Sequence, residues 1–341
     1  MLAIRADGNA KIGMGHIMRC FSIAKEVQRR DEEVCFVVSP DTDTNALIEL
    51  EIPFEQLKIT TKEGWSANEM SEWLVLHDIN KVLLDSYRVT PQDFQDLKEE
   101  RTLYYIDDCY AFDYQASAII NYNIEAIEER YSQTIYLKRK LYLGVSYLPL
   151  REELCKVIAC DIRRKLKMIL ISTGSTDPNH LSSQIIQALN PSGHSNIHFE
   201  ILVGSFFDET CKKELERMAL HWENVSLLPW GQDMAAIYSG CDLVIAPGAT
   251  ILYEALSLNV PCISFEFTDN HHLECVWLDK MGLVPWAGNY QSEGQLVICN
   301  IGKIFKKSLK YETRMKQYKK YSCLFDRRGT ERIVDIIMEN I

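Results

Sequence analysis

The chain predicts an α/β protein made of two Rossmann-like domains facing a cleft. Three observations carry this. Its 341 residues exceed one ordinary small domain and suit two of about 150 to 200 residues each. Short apolar runs alternate with amphipathic segments, the pattern of a parallel sheet wrapped by helices. Each half also opens alike, on a strand that feeds a glycine-containing loop and then a helix. The halves divide at YLGVSYLPLR, Tyr142–Arg151, where Gly144 and Pro149 punctuate the pattern. The expected domains are therefore residues 1–148 and 149–341, with a final helix packing back toward the first domain.

The first strand is Leu2–Ile4. It leads into RADGNAKIGMGHIMR, Arg5–Arg19, after which Ile17, Cys20, Phe21, Ala24 and Val27 recur at helical spacing. Gly8, Gly13 and Gly15 admit backbone conformations and close ligand approach that other residues forbid. The free N–H groups of a helix start suit an anion. His16, on that first turn, has two readings: a general base or phosphate ligand, imidazole being suited to proton transfer at neutral pH, or a solvent-facing residue of a tight turn. A single glycine-rich turn does not choose between them.

Further strands are expected at Glu33–Val38, Lys81–Asp85, Leu103–Ile106 and Ser117–Ile120, with helices at Asp43–Leu50, Trp65–Leu76 and Pro91–Glu100. Ligands of such sheets bind beyond the carboxyl ends of the strands. Polar clusters fall there: the Asp7 loop, Asp85-Ser86-Tyr87-Arg88, and Asp107-Asp108. Strand-end aspartates commonly cap turns and helices. Asp108 reads as such a cap, while Asp107 stays open between cap, metal ligand and acid–base group.

A charged, helical segment runs through Arg164, and Met168–Ser172 then reads as a strand. The turn after it holds Gly174, Ser175, Thr176 and the Asp177-Pro178 step, a helix entrance suited to an anion or an ordinary Asx turn. Strands follow at His198–Val203, Val225–Leu228, Leu243–Ala246 and Cys262–Phe265. Between the last two lies Gly248-Ala249-Thr250, opening a helix with Glu254 in its second turn. A carboxylate there can hold two ribose hydroxyls or complement the helix dipole. Thr268-Asp269-Asn270-His271-His272 opens the next helix, Asn270 being a substrate-orienting amide or a cap. Adjacent histidines point apart on a helix and make a poor metal pair. A last amphipathic helix is expected at Ile333–Met338.

Composition narrows the function classes. Hydrophobic residues at 47% and charged residues at 25% are those of a globular protein with a full core. A net charge of −11 argues against a nucleic-acid partner, and the basic stretch Lys303–Lys320 reads as solvated helix faces. No apolar run nears the roughly 18 to 20 residues that span a bilayer, and the start lacks a signal-peptide pattern. A cytoplasmic location without membrane insertion is expected. The eleven cysteines contain no Cys-x-x-Cys pair, which argues against zinc frameworks, so no metal or other cofactor is expected. A nicotinamide-type dehydrogenase is disfavoured, because the first loop lacks the order Gly-x-Gly-x-x-Gly.

Taken in order, RADGNAKIGMGHIMR, YLGVSYLPLR, STGSTDPN, APGATILYE, TDNHH and FDRRGTERI resemble the pseudaminic acid pathway hydrolases, to which certain spore-coat polysaccharide biosynthesis proteins are related. The resemblance covers nearly the whole chain. It implies a glycosyltransferase-B-like fold that holds the nucleotide mainly in its C-terminal domain. It also implies metal-independent, inverting hydrolysis of UDP-2,4-diacetamido-2,4,6-trideoxy-β-L-altropyranose. On this resemblance His16 is the general base, Asn270 the asparagine of an Asp-Asn-Gln motif, Tyr87 an active-site tyrosine and Glu254 the ribose-binding glutamate. Substrate and nucleotide contacts are implied for Gly13, Gly15 and Arg19 in the first loop and for Gly174, Ser175, Thr176 and Asp177 in the second. Gly248, Ala249, Thr250 and Asp269 complete that set. The chain departs from the family at Ala249 and Ile251, in place of Gly-Gly-Ser-Thr, at Ser175 in place of a glycine, and at His271 in place of Gln. An inverting glycosyltransferase using a UDP-amino sugar, or a nucleotide-sugar-binding protein without turnover, would use the same parts.

Overall fold

The computed structural model describes residues 1–49, 51–57, 67–98, 101–111, 114–132, 140–268 and 271–339. The chain divides into two compact units, Met1–Glu152 with Arg327–Ile341, and Glu153–Asp326.

In the first unit, the described residues form a parallel sheet of Leu2–Ala6 (β1), Val34–Val38 (β2), Phe54–Gln56 (β3), Lys81–Asp85 (β4), Thr102–Ile106 (β5), Ala118–Asn121 (β6) and Lys140–Leu143 (β7). The spatial order is β3-β2-β1-β4-β5-β6-β7. β1 lies between two parallel neighbours, Ile4 opposite Phe36 on one side and Leu83 on the other. All five of its residues are buried, which is why LAIRA lacks the alternation of a half-exposed strand. Against one face pack Met70, Leu74, Phe94, Leu97 and Tyr114. The strand order reverses between β1 and β4, and at such a switch point a crevice opens beyond the strand ends.

The last helix, Gly329–Met338, belongs to this unit rather than to the second. Thr330 Oγ1 accepts from Leu150 N and donates to Leu150 O, both at 2.9 Å, and Arg30 meets Asp335 at 2.6 Å. Gly329 is required by this contact, since a Cβ there would come 2.7 Å from the Leu148 carbonyl carbon. The bridge motif and the terminal motif are thus packed on one another.

In the second unit the strands are Met168–Ser172 (β8), His198–Val203 (β9), Val225–Pro229 (β10), Leu243–Pro247 (β11), Cys262–Glu266 (β12) and Trp286–Asn289 (β13). They run parallel in the order β10-β9-β8-β11-β12-β13. Ile169, Ile171, Phe199, Ile245 and Phe265 form the sheet side of its core, with Ile185, Val297 and Phe305 from helices against them. Here the order reverses between β8 and β11.

The short edge strands β3, β7 and β13 were not expected from the sequence. Phe54–Gln56 is half-buried to exposed, so it carries no apolar run, and only its neighbour in the sheet makes it a strand. Leu50, Trp65 and Glu100, at the ends of expected helices, lie outside the described residues. All the cysteines are free, and Cys20, Cys211, Cys241, Cys262 and Cys275 are buried. Among the described residues no helix is long and apolar enough to cross a membrane.

Candidate active site

The loop after β1 closes on itself. Asn9 and Gly13 exchange backbone hydrogen bonds at 3.2 and 2.8 Å, and Asn9 Oδ1 accepts from the N–H groups of Lys11 and Ile12. Gly13 holds φ at 77°, a left-handed conformation natural to glycine. The helix Gly15–Arg29 then starts without a side-chain cap. His16 and Arg19, three residues apart, share one face of it, and both are buried.

That face meets the ends of β4, β5 and β6. His16 Nδ1 lies 2.6 Å from Asp85 Oδ1. Arg19 Nη2, a donor, also lies 3.0 Å from Nδ1; the shorter contact is to the carboxylate, which only accepts, so the His16–Asp85 pair selects the tautomer with the proton on Nδ1 and Nε2 as the acceptor. Arg19 Nε reaches the second oxygen, Asp85 Oδ2, at 2.6 Å, while its Nη2 lies beside Oδ1, a two-pronged pairing that immobilises the carboxylate. Arg19 Nη1 donates to Asp108 Oδ2 at 3.0 Å and to the Tyr122 hydroxyl at 2.7 Å. Tyr87 donates its hydroxyl to the same Asp108 oxygen at 3.0 Å. Its ring stands edge-on to the imidazole, with centroids 4.5 Å apart.

Burial alone would raise the Asp85 carboxyl, but Arg19 and His16 hold it well below the usual carboxylate range. Asp108 is lowered in the same way, burial being overcome mainly by Arg19. Tyr87 is pushed far above the usual phenol range by burial and by the Asp108 charge, and Tyr122 up to about 12 by burial. At neutral pH the centre therefore holds two carboxylates, one guanidinium and neutral phenols.

Arg19, for which a substrate contact is expected, holds Asp85, Asp108 and Tyr122 with its guanidinium and has Nη2 3.0 Å from His16 Nδ1. The roles of the paired aspartates are reversed. Asp107 is the cap, its Oδ1 accepting from Cys109 N at 3.0 Å and Tyr110 N at 3.1 Å, while Asp108 joins the His16 centre. Asp85 and Asp108 were visible as strand-end acids, but their partnership with residues 66 and 89 positions away was not.

A second polar centre sits at the end of β1. Asp7 Oδ1 takes Arg5 Nη1 at 2.6 Å and Thr42 Oγ1 at 3.1 Å, as well as the Ser39 hydroxyl, while Oδ2 takes Ser86 Oγ at 3.2 Å. It joins the ends of β1, β2 and β4.

In the second unit, both expected loops follow the strands that flank the switch point. Gly174, at φ 88°, donates its N–H to Ser172 Oγ at 3.0 Å. Ser175 and Thr176 are half-buried beside it. Asp177 turns inward, accepting from Leu181 N at 2.6 Å and Ser182 N at 2.9 Å. It thereby caps the start of the helix Leu181–Leu189 with an anion of the chain's own. The other loop differs. The helix Thr250–Ser257 follows an extended Ala249 and has no side-chain cap, so its opening N–H groups lack a side-chain acceptor. Gly248 is tightly enclosed: a Cβ there would lie 2.5 Å from Cys275 Sγ and 2.7 Å from His271 Cβ. Glu254 is buried, and its Oε2 accepts from the Tyr238 hydroxyl at 2.9 Å. His271 and His272 pair with different acids, Glu274 and Glu266, as adjacent helical residues must. Asp269 and Asn270 lie outside the described residues. Among the described residues no group of three or more His, Cys, Asp or Glu side chains is arranged to hold a metal ion.

The whole chain superposes on the crystal structure of Acinetobacter baumannii MurG with a TM-score of 0.63 at 14% identity, covering 99% of each chain. The fold is of the glycosyltransferase-B type. Two distant sequence relatives accompany it. An uncharacterized protein, MJ1062, of Methanocaldococcus jannaschii is 23% identical over 322 residues, or 89% of this chain, and the match spans 64% of that protein's length. A Campylobacter jejuni protein named UDP-2,4-diacetamido-2,4,6-trideoxy-beta-L-altropyranose hydrolase is 24% identical over 281 residues, covering 82% of this chain and 96% of that one. No protein-family model matches the chain.

Proposed function

We propose that this glycosyltransferase-B protein is a cytoplasmic enzyme acting on UDP-sugars, and that it hydrolyses a UDP-linked 2,4-diacetamido-2,4,6-trideoxy sugar to UDP and free sugar. Such a reaction would serve pseudaminic or other nonulosonic acid, or spore-coat-type polysaccharide, biosynthesis. The observation that carries the reading is the buried His16–Asp85 pair at the switch point of the first unit. The named Campylobacter relative supports the choice of substrate.

The uncapped helix start at Thr250 takes the diphosphate and Glu254 takes the ribose, so charge developing on the leaving group meets oriented N–H dipoles. His16 Nε2 removes a proton from water as the water oxygen attacks the anomeric carbon. The bond from that carbon to the UDP oxygen breaks with its electron pair on UDP, and the configuration inverts. Asp85 holds the tautomer and stabilises the imidazolium that forms. A general base of this kind contributes about 10²- to 10⁴-fold.

The test is proton NMR of the purified protein with the UDP-diacetamido-trideoxy sugar and no acceptor. Release of UDP and free sugar, lost in His16→Ala, is the expected result. An intact but bound substrate would replace hydrolysis with the second reading, an inverting glycosyltransferase awaiting its acceptor, which the same fold supports.

A further inference from the structure

Asp108 acts on the His16 centre through its neighbours. Its Oδ2 accepts from Arg19 Nη1 and from the Tyr87 hydroxyl, each at 3.0 Å. The Arg19 fork that grips Asp85 thereby also fixes Asp108. A carboxylate has no hydrogen to give, so the Tyr87 O–H is the donor in this bond. What Tyr87 can still offer a third partner is the lone pair on its oxygen. Tyr87 is also the accessible member of the centre, 39% exposed, whereas His16 is buried beneath the edge of its ring.

The site thus offers two acceptors, His16 Nε2 and Tyr87 Oη, on rings whose centroids are 4.5 Å apart. We propose that Asp108 is a positioning residue that holds Tyr87 as a hydrogen-bond acceptor and so selects water, rather than an alcohol, as the nucleophile. Water carries two hydrogens, satisfies both acceptors and keeps a lone pair for carbon. An alcohol carries one hydrogen and leaves one of the two acceptors without the hydrogen that water would supply, a loss of the kind that gives discrimination. In the step itself one water proton passes to His16 Nε2 and the oxygen bonds the anomeric carbon. The bond to the UDP oxygen breaks with its electron pair on UDP, and the second hydrogen stays on the new sugar hydroxyl. This inference rests on the UDP-sugar reading above.

The experiment has two arms. The first needs no substrate: the protein is labelled with ¹³C at tyrosine Cζ, and Tyr87→Phe identifies the Tyr87 resonance. In Asp108→Ala that resonance shifts as the phenol loses its acceptor; a resonance that stays in place overturns the proposal. Should Asp108→Ala fail to fold, the isosteric Asp108→Asn, which removes the charge from the bond, takes its place with a shift in the same direction. The second arm follows turnover with molar methanol added. Asp108→Ala and Tyr87→Phe are each expected to lower kcat about tenfold with little change in KM, and the double variant to do no worse than either single. Methyl glycoside, absent from the wild-type products, appears in both variants. Additive losses, or an unchanged product ratio, overturn the water-selecting role. Wild-type protein that releases UDP only when an alcohol is supplied overturns both that role and the hydrolase reading. A Cζ shift in the first arm would then still establish the Asp108–Tyr87 bond by itself.

Discussion

At the scale of single residues, a proton's position on one ring decides what the first unit can do. His16 Nδ1 faces a carboxylate that only accepts, so the opposite nitrogen is the one available to act as the proposed base. Asp85→Asn keeps the shape but presents an amide that can donate to Nδ1, which favours the wrong tautomer. Turnover should fall by about 10²- to 10⁴-fold with UDP affinity unchanged, as for other orienting acids. Initial rates of UDP release and calorimetric UDP titration check this, and undiminished rates would take Asp85 out of the mechanism. Glu254 makes a separate claim. Its carboxylate, braced by Tyr238, is assigned to ribose, so Glu254→Ala should weaken UDP by about tenfold while leaving inorganic diphosphate within about twofold. Equal weakening of both ligands would refute the assignment.

At the scale of elements, close backbone approach places the loops. Gly204 follows β9 and lies against the β8 loop, where an added Cβ would sit 2.5 Å from Ser175 O and 2.6 Å from Ser175 C. Backbone cannot step aside as a side-chain tip can. Gly204→Ala should therefore destabilise the protein by about 1–3 kcal/mol, as overpacking does, measured by urea unfolding. An unchanged midpoint would show that the β8 loop has room to move. The buried central strands were legible because continuous apolar runs mark them. Lys81–Asp85, Met168–Ser172 and His198–Val203 match their expected bounds. Three of the four edge strands in the described residues, β3, β7 and β13, were not legible, since pairing on one side only makes few demands on composition; the fourth, Val225–Pro229, was, because its VSLL run carries an apolar signal of its own.

For the molecule as a whole, the Asp7 centre ties three strand ends together and links folding to pH. Burial raises the Asp7 carboxyl, but the charge and hydrogen bond of Arg5, with Ser39, bring it down to about 2. An unfolded aspartate titrates near 3.9. The folded value is the lower one, so this stabilisation is complete above about pH 4 and is lost as pH falls through about 2. Its size is on the order of 2 kcal/mol by that linkage. Asp7→Asn should thus be clearly less stable than wild type at pH 7, and the gap should narrow by pH 3. Urea midpoints at the two pH values decide it; a gap independent of pH would mean that Asp7 acts through packing alone.

By itself the sequence determined the α/β class, the two-part organisation and the loops on which chemistry could be placed, because apolar period and glycine placement are local properties. His16, Glu254 and Gly248 were all singled out from local context. Only the tertiary structure decided which acids meet His16 and Arg19. Asp85 and Asp108 come from strands far along the chain, and a parallel sheet brings their ends beside the first helix through crossovers that leave no local mark on the residues they join. The partners of Arg19 and Asp177 are likewise not legible along the chain. Each is a charged side chain in a promising loop, and each is held by a partner inside the fold, Arg19 by two carboxylates and Asp177 by the helix it caps. Whether a polar group faces a ligand or another part of the protein is a matter of three-dimensional neighbours, which spacing along one chain does not encode.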